Sequence, residues 1–138
     1  MTHYLYLTVT TSTDAIYAAE VMRHYAKLMN ISLDAAHSFN DTIFKVYIGV
    51  MPDKNLEDYS NVVWIDNDRE HLQKEVKLHY DKLSGEREPN ISLTMLTYKY
   101  CFDVLNIEYM NGTLPDFITN PEKYTIEEFK KLLETNIV

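Results

Sequence analysis

The chain has 138 residues, 46% of them hydrophobic, and 21 acidic side chains against 13 basic ones give a formal net charge of −8. That length suits one domain, and the apolar content supplies a core that needs no metal or disulfide staple. A protein that grips phosphates needs a concentrated basic face, so direct nucleic-acid binding and attachment to anionic membranes are both disfavoured.

No stretch reaches the ~20 apolar residues of a membrane span, and residues 1–10 lack the basic start and unbroken apolar run of an export signal. Cys101, the single cysteine, has no partner within the chain. These features point to a reducing, cytoplasmic setting. Four Asn-x-Ser/Thr sequons, at Asn30, Asn40, Asn90 and Asn111, therefore read as turn residues and not as glycan sites. The abundance of Asn, Lys, Ile and Tyr suggests an A/T-rich gene, as in a phage or a low-GC bacterium.

In chain order, Leu5, Leu7 and Val9 alternate with Tyr4, Tyr6 and Thr8, which predicts a first strand. Residues 11–14 offer N-cap side chains for a helix over 15–29, whose polar stripe is Glu20, Arg23, His24 and Lys27. A loop follows. Residues 43–50 alternate again and predict a second strand, and the run Val62-Val63-Trp64-Ile65 predicts a third, covered on both faces. Asn67 and Glu70 make a capping box for the next helix, with Leu72, Val76 and Leu83 as its buried stripe and Gly85 as its left-handed stop. Residues 91–110 are ambiguous: the first half, rich in Thr and Tyr, fits either a fourth strand over about 91–98 or a helix, and the second half has helical spacing and ends at Asn111-Gly112. Thr125 and Glu128 form a second capping box, opening a helix with Ile126, Phe129, Leu132 and Leu133 on its apolar face.

This order predicts an α+β fold: a three- or four-stranded, mostly antiparallel sheet with a ferredoxin-like βαββαβ core and C-terminal helices. A single domain over 1–138 would place the core in about 1–98 and a helical extension in about 99–138. Residues 43–50 as an exposed edge strand would invite pairing between copies, so a homodimer is compatible with the pattern.

Candidate chemistry is sparse. Asp66 and Asp68, at the end of an apolar strand, have the oxygen ligands for a divalent metal and would suit an enzyme acting on a phosphorylated or nucleotide substrate; the same residues also suit a helix cap. His71, Glu75 and His79 follow one another at i, i+4 and i+8, yet residues 71 and 79 lie roughly 12 Å apart along a helix and cannot share one ion. Cys101 stands among Tyr100, Phe102 and Val104 and reads as a buried hydrophobe. With three glycines there is no phosphate-cradling loop, nor a Gly-x-Ser-x-Gly elbow.

The expectation is therefore a non-catalytic binding protein, a regulator or inhibitor of a protein partner, without a cofactor. Tyr4, Tyr6, Tyr98 and Tyr100 are the binding-surface candidates, since tyrosine brings a rigid ring and a polar tip to interfaces. A third reading, mimicry of nucleic acid by carboxylates, requires folding to gather Glu57, Asp58, Asp66, Asp68, Asp81, Glu86 and Glu88 onto one face.

Overall fold

A computed structural model describes residues 3–33, 42–53, 60–78, 80, 83–102 and 114–136. Four strands, β1 (His3–Val9), β2 (Ser32–Leu33), β3 (Thr42–Ile48) and β4 (Val62–Ile65), form one sheet in the order β2-β1-β3-β4. Every pairing is parallel, with Leu5 opposite both Leu33 and Phe44, and Val46 opposite Val63. Among the described residues five α-helices accompany them: α1 (Thr13–Leu28), α2 (Arg69–Leu78), α3 (Leu93–Phe102), α4 (Asp116–Thr119) and α5 (Ile126–Asn136).

The mixed helix–sheet content is as expected, but the antiparallel sheet and the ferredoxin-like βαββαβ order are overturned. A βαββαβ core needs a hairpin between its second and third strands. Here β3 ends at Ile48 and β4 starts at Val62, a connection long enough to carry the chain back and start a parallel neighbour. Residues 91–98 are not a strand either. Ser92 Oγ accepts from Met95 N at 3.1 Å, and Asp14 caps the same turn from across the fold, so residues of β propensity enter α3.

β4 is not an edge, because residues 84–88 run alongside it. Trp64 N donates to Ser84 O at 2.9 Å, Asp66 N to Glu86 O at 3.2 Å and Glu88 N to Asp66 O at 3.1 Å, with parallel bridges Val63–Ser84 and Asp66–Arg87. β3 lies between β1 and β4, which removes the edge-strand argument for a homodimer. Gly85 stands within this strip, and not at a helix C-cap: its φ is +132°, and an added Cβ would sit 1.8 Å from Trp64 O.

One face of the sheet carries Leu5, Val46, Ile48, Val63 and Ile65 against Ala15, Ala18, Met22 and Ala26 of α1 and Leu93 and Leu96 of α3. The alanines allow α1 to approach closely. Ser12 caps it, accepting from Ala15 N at 3.2 Å. Outside α1 a further layer packs Phe117, Ile118, Phe129 and Leu133 onto Tyr17 and Val21, with Phe129 edge-on to Tyr17 at 5.0 Å. The predicted box at α5 is present: Thr125 N donates to Glu128 Oε1 at 3.0 Å and Glu128 N to Thr125 Oγ1 at 3.1 Å. The Thr125 backbone amide, and after it the Thr125 hydroxyl, hold the Glu128 carboxyl below its ordinary value. This contribution is therefore present above the usual carboxylate range and fades as pH falls through the lowered value.

On the other face Val62 and Trp64 pack with Tyr80 and Leu83, joined by Tyr47, Met51 and Leu72. All four residues of β4 are buried, as the unbroken apolar run requires. Val76, expected in that core, is instead 80% exposed. Among the described residues no helix is long and apolar enough to cross a membrane.

Cys101 is buried beside Met22, Sγ to Sδ 3.8 Å, and desolvation pushes its thiol well above the ordinary value. A thiol held protonated and out of water is a poor nucleophile. Ellman's reagent is expected to leave it unlabelled in the native protein and to label it on urea unfolding; rapid native labelling would contradict this packing.

Candidate functional site

Open parallel sheets bind ligands outside the carboxyl ends of their strands, where consecutive connections run to opposite sides. With β1 between β2 and β3, that point lies between β1 and β3. In this chain it is taken by the first turn of α3. Asp14 Oδ2 accepts from Leu93 N at 2.6 Å, and Oδ1 accepts from Thr94 N at 3.1 Å and Thr94 Oγ1 at 2.8 Å. The Leu93 side chain and Thr10 lie over Gly49, whose φ is +72°; a Cβ there would come within 2.6 Å of Thr10 Cγ2. The carboxylate at the start of α1 thus serves as the cap of α3, and the first turn of α3 closes the crevice.

Asp66 and Asp68 behave similarly at the end of β4. Asp66 is wholly buried. Its Oδ2 accepts from Trp64 Nε1 at 2.9 Å and from His71 Nδ1 at 2.8 Å, and its Oδ1 accepts from Asp68 N at 3.0 Å. Asp68 Oδ1 accepts from Glu70 N at 2.8 Å and His71 N at 3.3 Å, so Asp68, and not the expected Asn67, caps α2. Asn67 turns away and donates through Nδ2 to Ile91 O at 3.0 Å. A cation at Asp66 would have to displace three donors. Among the described residues no group of three or more His, Cys, Asp and Glu side chains is placed to hold a metal ion.

His71 and Glu75 belong to one network around Trp64. Glu75 Oε1 accepts from Arg87 Nε at 2.8 Å, and the Arg87 guanidinium lies 5.1 Å from the Trp64 ring centre. The buried carboxylate orients His71 by its Nδ1, leaving Nε2 3.9 Å from Asp68 Oδ2. His79 lies outside the described residues. So do Glu57, Asp58 and Asp81, three of the seven carboxylates that mimicry of nucleic acid would gather; Asp66 is buried, and Glu86 pairs with Lys99 at 3.3 Å.

The four tyrosines do not share one surface. Tyr98 packs with Phe102, centroids 5.2 Å apart, and Tyr100 borders the core on the α1–α3 side. Tyr4 and Tyr6 point to the opposite face, since Leu5 between them faces α1. There Thr8 and Lys45, on the adjacent strands β1 and β3, are exposed, and Tyr4, Tyr6, Ile43 and Tyr47 are half-buried. Strands inside a parallel sheet are ordinarily covered on both faces. The alternation of β1 already set Tyr4, Tyr6 and Thr8 on one side. What it left open was how far helices cover that side, and the roles of Asp14 and Arg87 carried no sequence signal.

An open, all-parallel sheet flanked by helices, with its carboxyl-end crevice closed by α3, is the class these features define. No family model, curated protein or solved structure matches the chain.

Proposed function

We propose that this chain is a non-catalytic binding protein, a small cytoplasmic regulator or inhibitor, that lays the Tyr4–Tyr6 face of its sheet against a protein partner. The observation that carries the reading is the exposure of Thr8 and Lys45 on two neighbouring inner strands of a parallel sheet, where burial is the rule. Half-buried aromatic rings around exposed polar positions suit an interface whose core is aromatic and whose rim is wet. The net charge of −8 favours a partner with a basic surface, and association that weakens with salt.

Occupation of the crevice by α3 supports the same reading, because Asp14 and Asp68 are engaged as caps of α3 and α2 and Asp66 by Trp64, His71 and the Asp68 amide. Thr8→Arg combined with Lys45→Glu changes only exposed side chains and should leave the melting temperature within about 2 °C of wild type. When the two proteins are immobilised and offered lysate of the source cell, wild type is expected to retain a stoichiometric protein that the double variant holds at least tenfold more weakly. Equal retention by both, or no stoichiometric protein on either, would remove the proposal.

A further inference from the structure

At the amino-terminal end of the sheet, on the face opposite the proposed interface, α1 and α3 stand apart from the strands and leave a cavity of about 370 Å³. Leu5, Val46 and Val63, one from each of β1, β3 and β4, make its floor; Met22 and Tyr25 of α1 and Tyr100 of α3 make its walls. The floor residues and Met22 are 1–6% exposed, so the space ends on packed side chains of the core.

We infer that this cavity is a binding site for an uncharged, largely aromatic small molecule of about two fused or linked rings. The size falls within the ~300–1,000 Å³ range of small-molecule sites. Apolar cavities of only ~150 Å³ stay dry and take up benzene. Among the described residues no Lys, Arg, Asp or Glu borders the space and His3, exposed, is the one imidazole in its lining, so a charged ligand would go largely unpaired, which is costly in an apolar setting. Phe44 and two methionines, Met22 and Met29, join the tyrosines in the lining, and rings and thioether sulfurs pack well on a flat aromatic face. Desolvation raises the Tyr25 and Tyr100 hydroxyls above their ordinary value; both stay protonated and can donate to one acceptor on the ligand. Met29, which is 56% exposed, belongs to the lining and is where the space meets solvent.

N-Phenyl-1-naphthylamine, a neutral probe whose emission rises in apolar surroundings, tests this on the full chain. Saturable one-site binding is expected, displaced by naphthalene and at least tenfold less well by the anion 1-naphthoate. In methyl NMR of the wild-type protein the shifts should centre on Leu5, Val46 and Val63. Val46→Phe, which fills the floor, should weaken the probe at least tenfold. Should that variant fail to fold, the wild-type methyl map decides alone. Absence of saturation, shifts centred on other methyls, or equal displacement by naphthoate would each overturn the assignment.

Discussion

Gly85→Ala is expected to cost about 4 kcal/mol or more, among the largest effects of any single substitution in this chain. Two costs combine. An L side chain at φ +132° is strained, and the new Cβ would lie 1.8 Å from Trp64 O, 2.7 Å from Trp64 C and 2.9 Å from Trp64 N. All three are backbone atoms of a buried strand, so no rotamer change relieves the clash. Residues 84–88 must move off β4, loosening the bonds from Trp64 N to Ser84 O and from Asp66 N to Glu86 O. Arg87 would move with the strip, away from the Trp64 ring and Glu75. In a domain of this size the loss corresponds to a drop of roughly 10–20 °C in melting temperature. Trp64, the single tryptophan, reports it directly: its emission should shift to the red under native conditions. A urea midpoint and emission spectrum equal to wild type would show that the strip does not pack as described.

The strands and caps that local residues decide were legible. Alternation over Leu5, Leu7 and Val9 marked β1, the apolar run marked β4 as covered on both sides, and Thr125 with Glu128 marked the start of α5. Strand direction was not legible in the alternation, because period-2 patterning is the same for parallel and antiparallel neighbours. The clue lay in the connection from Ile48 to Val62, too long for a tight hairpin and long enough for a return. β2 escaped notice because two residues, Ser32 and Leu33, carry no period. α3 is ambiguous in the sequence because its helical state depends on Asp14, 79 residues away in sequence from Leu93; propensity yields to a cap of that kind.

The site was legible in its residues and not in their engagement. Asp66 and Asp68 stood out as acidic groups after an apolar strand, and sequence alone allowed them to serve as metal ligands or as caps. The donors that occupy them come from Trp64, two residues back, and from α2. Tyr4 and Tyr6 were assigned to one strand face correctly, while Tyr98 and Tyr100 fell on a helix across the sheet, so four tyrosines that looked alike divide between two surfaces. Arg87, which ties α2 to β4 through Glu75 and lies over the Trp64 ring, offered no pattern to read.

Asp66 substitutions should separate a structural acceptor from a metal ligand by the sign of their effect. Asp66→Ala leaves Trp64 Nε1, His71 Nδ1 and the Asp68 amide, which donate at 2.9, 2.8 and 3.0 Å, without their buried acceptor. Removing one member of a buried, charge-assisted network costs about 3–5 kcal/mol. Asp66→Asn should cost less, about 1–2 kcal/mol. Its amide oxygen can keep Trp64 and His71 if it takes the Oδ2 position, but its NH₂ then faces the Asp68 N–H, and that capping bond is lost. The expected order in urea denaturation, followed by Trp64 emission, is wild type, then Asn, then Ala. A carboxylate kept to bind a cation behaves oppositely. Without metal it adds like-charge repulsion to Asp68, so neutralising it to Asn should stabilise the apo protein, and added Mg²⁺ or Mn²⁺ should raise the wild-type melting temperature but not that of the variant. An apo Asn variant more stable than wild type would overturn the assignment of Asp66 as a structural acceptor and return it to metal chemistry. Because His71 Nδ1 is held by the same oxygen as Trp64, His71→Ala within the Asp66→Ala background should cost much less than in wild type, and this non-additivity is the mark of one shared acceptor.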